Sequence, residues 1–123
     1  MAKKVLIIDD DEAIVESLKV LLTIKGYETE TACDGEDGVC KARDMHPDII
    51  LLDMLLPGHD GYEVYRELRK ENVTPASRVI FLSSFSGRPD LKTGEGLENE
   101  ITLDMFMPKP VDPKKLLDLL ASM

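Results

Sequence analysis

The chain is short of positive charge. Against 24 Asp and Glu stand only 15 Lys and Arg, for a formal net charge of −9 and a pI near 4.6. Such a surface lacks the basic footprint that direct nucleic-acid binding wants. Cysteine is scarce: Cys33 and Cys40 are the only two. They admit a redox pair or a pair of metal ligands, but the expectation is two partly buried thiols in a reducing compartment. The only two histidines, His46 and His59, fall in loop-like sequence, so a zinc site is not expected. Long hydrophobic runs are absent as well. Nothing approaches the roughly 20 apolar residues that span a bilayer. The apolar stretch after Met1-Ala2-Lys3-Lys4 is too short for a signal peptide and has no small-residue cleavage site. These absences lead to the expectation of a cytoplasmic protein that engages neither membrane nor nucleic acid directly.

What is present suffices for one domain. At 123 residues, 43% of them hydrophobic, the chain is able to bury roughly two thirds of its unfolded surface without staples. Its pattern alternates. Val5-Leu6-Ile7-Ile8 is an apolar run, and Asp11 to Lys25 has helical spacing, with Ile14, Leu18, Leu21 and Leu22 on one face. Gly26 stands where a C-cap glycine would end that helix. Tyr27 to Ala32 alternates as a half-exposed strand does. Asp34-Gly35 opens a second helix, through about Met45, with Val39, Ala42 and Met45 inward and Pro47 ending it. Ile49-Leu52 is the most apolar run. A turn cluster, Leu56 to Gly61, precedes a helix over Tyr62 to Glu71 that turns Val64, Leu68 and Tyr65 inward. Val79-Leu82 is a further strand, and Met105-Phe106-Met107 a short last one. Asp112-Pro113 then caps a helix running to near Ser122. The stretch from Phe85 to Leu103 breaks the regularity, with Gly87, Pro89, Gly94 and Gly96 and no helical stripe.

Five βα units in series predict an α/β fold with a parallel sheet and helices on both faces. In open sheets of this kind a ligand sits beyond the strand C-termini. The strand ends carry, in order, Asp9-Asp10, Asp53, Ser83 and Lys109. Alone, each has an ordinary explanation: Asp10 or Asp11 as a helix cap, Lys109 as a surface lysine beside prolines. Together they are a chemical set. Crowded carboxylates repel, and a hard divalent cation such as Mg²⁺ is the usual remedy. Phosphoryl transfer needs a nucleophile, a cation bridging anionic oxygens, and fixed positive charge. Asp53 is the candidate nucleophile, Asp9 and Asp10 candidate Mg²⁺ ligands, and the Leu55 carbonyl a further oxygen. Lys109 and the Ser83 hydroxyl are placed to meet phosphoryl oxygens.

At these residues the sequence closely resembles the response-regulator receiver domains, the CheY-like family. The matching segments are Val5 to Glu12, Pro47 to Met54, Leu56-Pro57-Gly58-His59-Asp60-Gly61, Val79 to Ser84 and Lys109-Pro110. The resemblance spans essentially the whole chain and implies a single receiver domain over 1–123. It implies a doubly wound, flavodoxin-like five-stranded sheet of order 2-1-3-4-5. By the same resemblance Asp53 takes a phosphoryl group from a sensor histidine kinase or a histidine phosphotransferase. Asp9, Asp10, Asp53 and the Leu55 carbonyl hold Mg²⁺. Ser83 is the switch hydroxyl, Phe106 the switch aromatic, and Lys109 the phosphate-binding lysine, its bond to Pro110 often cis in the family. The module is then not an enzyme beyond its own phosphorylation and dephosphorylation. Its output goes to a protein partner or to an effector domain absent from this chain.

The sequence also departs from the family. Ser83 and Lys109 are 26 positions apart, a few more than expected, and the alanine-rich fourth helix is missing. The segment 85–103 is therefore expected to be an irregular fourth-helix region. The family sets autodephosphorylation through side chains two places after the acceptor and two after the switch hydroxyl. Here these are Leu55 and Phe85, which exclude rather than orient water, so a long-lived phospho-Asp53 is expected. Two other readings are a pseudo-receiver scaffold and an aspartate-nucleophile phosphatase. The haloacid dehalogenase type of phosphatase carries a second Asp where Leu55 stands.

Overall fold

A computed structural model describes residues 3–56, 59–70, 78–83, 106–109 and 111–122. The continuous apolar runs form strands because the helices cover both of their faces. β1 (Lys4–Ile8), β2 (Glu28–Ala32), β3 (Ile49–Asp53), β6 (Arg78–Ser83) and β7 (Phe106–Pro108) make one parallel sheet, ordered β2-β1-β3-β6-β7. Counting only these five, the order is the expected 2-1-3-4-5. Between β3 and β6, β4 (Leu55–Leu56) and β5 (His59–Asp60) form a separate two-residue antiparallel pair.

Among the described residues four helices flank the sheet: α1 (Glu12–Ile24), α2 (Gly35–Met45), α3 (Gly61–Lys70) and α4 (Pro113–Ala121). Three of them start on an aspartate whose carboxylate accepts from amides of the first turn. Asp11 accepts from Ala13 and Ile14, Asp34 from Asp37, and Asp112 from Lys114 and Lys115. Gly26 takes φ of +93° just past α1. α2 ends on His46, in the left-handed region at φ 49°. Pro47 disfavours the helical conformation for the residue before it, so the chain turns there.

Alternation along each strand sorts the core into two layers. On one face Leu6, Ile8, Ile50, Leu52, Val79 and Phe81 meet Val39 and Ala42 of α2 and Val64, Tyr65 and Leu68 of α3. On the other, Val5, Ile7, Ile49, Leu51, Ile80 and Leu82 meet Leu18 and Leu22 of α1 and Leu116 and Leu120 of α4. Val15, rather than the expected Leu21, joins Ile14 against this second layer. The last strand lies one residue later than expected, and the turn cluster holds a short ladder, Leu55 opposite Asp60 and Leu56 opposite His59.

The cysteines correct an expectation. Both are free and exposed, not partly buried. Val39 and Ala42 take the inward positions of α2, which leaves Cys40 outward, and Cys33 falls just past the buried end of β2. The expectation for 85–103, and the Lys109-Pro110 bond, lie outside the described residues. So do the side chains of Leu55, Ser83 and Phe106.

Candidate functional site

Parallel register brings the strand ends to one edge. Ile8 pairs with Leu52, so Asp9 emerges beside Asp53. Asp53 pairs with Leu82, and Ser83 follows at the end of β6. Ser83 pairs with Pro108, and Lys109 comes next. Four segments far apart in sequence thus end at one edge of the sheet.

There, carboxylate oxygens of Asp9, Asp10 and Asp53 all lie within 4.8 Å of one another. Asp9 is 1% exposed and Asp53 5%, while Asp10 is open to solvent. At an effective dielectric of about 20, two unit charges at that spacing repel by roughly 3–4 kcal/mol. Lys109 offsets part of this. Its Nζ sits 2.8 Å from Asp9 Oδ2 and 3.2 Å from Asp53 Oδ1, with the side chain 14% exposed. Partial burial pulls its pKa down. Its short contact with Asp9, with the charges of Asp53 and Asp9, outweighs this and holds the ammonium above the ordinary lysine value.

The two loops that carry the aspartates are held differently. Asp9 Oδ1 accepts the Asp11 amide at 2.9 Å. Its Oδ2 is buried without a well-aligned hydrogen bond and faces the Lys109 ammonium. On the other side, the Met54 amide donates to Leu82 O at 3.0 Å, and Met54 O accepts from the Gly61 amide at 2.7 Å. Leu55 then opens the short ladder with Asp60. One lysine against three carboxylates leaves net negative charge and a buried oxygen short of donors. Hard oxygens in that state suit a small divalent cation.

Sequence reasoning named Asp9, Asp10, Asp53 and Lys109, and the structure brings all four together. It missed Gly61. The only signal was Asp60-Gly61 inside the turn cluster.

The comparisons with known proteins bear on the family and the fold. The sequence matches the family described as the response regulator receiver domain over residues 5–121. The chain belongs to that family. As a receiver domain it is a module of two-component signalling, a class whose partners are phosphodonor kinases and output effectors. Proteins called probable transcriptional regulator ycf27 from Porphyridium aerugineum and Pyropia yezoensis are 38% and 39% identical to it over 114 residues. Those alignments cover 93% of this chain but 45% and 44% of the relatives, so the receiver spans less than half their length. Among solved structures, the chemotaxis protein CheY4 of Vibrio cholerae superposes with a TM-score of 0.85 at 29% identity, covering 99% of this chain and 98% of that one. A CheY-like receiver domain protein from Methanospirillum hungatei gives 0.79 at 28%, covering 99% and 93%.

Proposed function

We propose that this receiver takes a phosphoryl group on Asp53 from a phosphohistidine of a sensor kinase or phosphotransferase and signals to a protein partner by switching conformation. The observation that carries it is the setting of Asp53, buried at the end of β3 between the Lys109 ammonium and the Asp9-Asp10 pair. An Asp53 carboxylate oxygen attacks phosphorus, the phosphorus–nitrogen bond of the donor breaks, and an acyl phosphate forms. Lys109 lies at hydrogen-bond distance from Asp53 Oδ1 and meets the charge that the phosphoryl oxygens bring. Asp9, Asp10, Asp53 and the Leu55 carbonyl would hold Mg²⁺. When bound, that ion offsets the carboxylates and the anionic phosphoryl oxygens. Ser83 would donate its hydroxyl to the new group, and Phe106 would follow that movement. Phosphorylation then shifts the balance between two pre-existing states.

The domain acts on no other substrate in this reading and works in the cytoplasm. Among the described residues no helix is long and apolar enough to cross a membrane. Relatives named as transcriptional regulators favour an output partner or effector domain that reaches DNA, since the receiver's own charge of −9 does not suit it. Incubation with Mg²⁺ and acetyl phosphate tests the reading. One base-labile phosphoryl adduct by mass spectrometry, lost in Asp53→Asn, is expected. No adduct on the wild-type chain points to a scaffold. Repeated turnover of phosphoesters points to a phosphatase. Either result overturns the proposal.

A further inference from the structure

Two buried glycines press against the two halves of the acidic crevice, and they differ in what they touch. Gly38, within α2, lies over Ile8, the residue before Asp9. A Cβ there would meet Ile8 Cδ1 at 2.6 Å and Cγ1 at 2.9 Å. With Ile8 Cγ2 at 3.1 Å, all three are side-chain atoms, so the push falls on the Ile8 side chain and not on the backbone that leads to Asp9. Gly61, the first residue of α3, lies over the residue after Asp53. A Cβ there would stand 2.9 Å from Met54 Cα, 3.1 Å from the Asp53 carbonyl oxygen and 3.1 Å from Met54 Sδ. Two of those three atoms are backbone. They have no rotamer to retreat into, so the chain itself must move.

That stretch of chain has little room. Met54 is gripped from both sides, its amide by Leu82 O and its carbonyl by the Gly61 amide. The ladder of Leu55 with Asp60 begins one residue on. A push at Met54 therefore falls on the peptides that carry the Asp53 side chain and the Leu55 carbonyl.

We infer that Gly61 is a positioning residue for the cation site. By lacking a Cβ it lets α3 seat on the Met54 backbone and hold Asp53 and the Leu55 carbonyl at the spacing a divalent cation needs. The inference rests on the proposed reading of those groups as Mg²⁺ ligands. Mg²⁺ demands near-ideal octahedral geometry, so displacements of a few tenths of an ångström matter to it. A role in packing alone would cost stability and leave cation affinity unchanged.

Calorimetric titration of Mg²⁺ into wild type, Gly61→Ala and Gly38→Ala, paired with cation-free melting of each, separates the cases. Gly61→Ala is expected to bind Mg²⁺ ~10-fold more weakly or worse, the scale seen when supporting partners of metal ligands are lost. Gly38→Ala is expected to stay within about twofold of wild type. A smaller loss in folded Gly61→Ala, or an equal loss in both variants, overturns the inference. Should Gly61→Ala not fold, hydrogen exchange on the wild type decides. The Gly61 amide, bonded to Met54 O, is expected to gain protection on saturation with Mg²⁺, and no gain overturns the inference. Failure of the wild type to bind Mg²⁺ at all instead overturns the underlying cation reading, and the glycine's role with it.

Discussion

The loop after β1 and the loop after β3 divide the holding of their aspartates differently between side chains and backbone. After β1, carboxylates add to a single backbone bond: the Asp9 amide donates to Ala32 O, the Asp9 carboxylate accepts the Asp11 amide, and the Asp11 carboxylate caps α1. After β3, the backbone does the holding: Met54 is pinned between Leu82 and Gly61, and the ladder of β4 with β5 follows. The difference teaches where each loop is vulnerable. The first should tolerate backbone adjustment and suffer from lost carboxylates. The second should be indifferent to many side chains and suffer from added bulk against its backbone. Lys109 touches both, since its ammonium faces Asp9 and Asp53 together.

The largest expected effect is at the acceptor. Asp53→Asn should abolish the phosphoryl adduct by mass spectrometry while the fold persists. A retained adduct would move the acceptor to the other loop and end the comparison. Next is Lys109→Met, which removes a group shared by both loops and takes the ammonium away from the buried Asp9 Oδ2. It should lower metal-free stability in urea by about 1–3 kcal/mol, and added Mg²⁺ should restore part of the loss.

The same pair has a pH signature. The pKa of Lys109 is raised in the folded state, so its contribution is complete below the unfolded lysine value of about 10.4 and is lost as pH climbs through the higher folded value. The stability gap between wild type and Lys109→Met should be flat from neutrality to about pH 10 and shrink above it. A gap that already shrinks between about pH 7 and 9 would contradict this assignment.

Asp11→Ala should cost about 1 kcal/mol in thermal or urea unfolding through the lost cap. The amide that serves Asp9 survives the substitution, so Mg²⁺ affinity should hold. A loss of affinity as large as that expected for Gly61→Ala would erase the contrast between the loops. The smallest effect is at Leu55→Asn, where phospho-Asp53 should decay a few-fold faster once water can be oriented beside it. An unchanged decay rate would count against water exclusion by Leu55.

Much of the fold was legible because its cues are local. Val5-Ile8, Ile49-Leu52 and Val79-Leu82 are continuous apolar runs, as strands covered on both faces must be. Asp11, Asp34 and Asp112 stand one residue before helices that their carboxylates cap. The ladder of β4 with β5 was not legible, since two residues a side are too few for any period to register. The start of β7 was misplaced by one, because Met105-Phe106-Met107 are all apolar and only pairing with β6 selects among them. The cysteines went wrong because thiol burial was expected from residue type. Neighbours decide it, and Val39 and Ala42 already fill the inward face of α2.

In the site, Asp9, Asp10, Asp53 and Lys109 stood out as charges ending apolar runs. The double contact of Lys109 and the pressure of Gly61 on Met54 did not. Both arise where separate elements approach, and no single stretch of sequence encodes such an approach.

The bridging lysine has a consequence for synthesis. Asp9 and Asp53 leave the ribosome long before Lys109, and the strand just before it joins the sheet, among the described residues, by pairing Phe106, Met107 and Pro108 with β6. A growing chain thus holds its acidic residues without their internal counter-ion until its last strand docks. If Asp53 accepts a phosphoryl group as proposed, its full site is assembled only after that strand has docked.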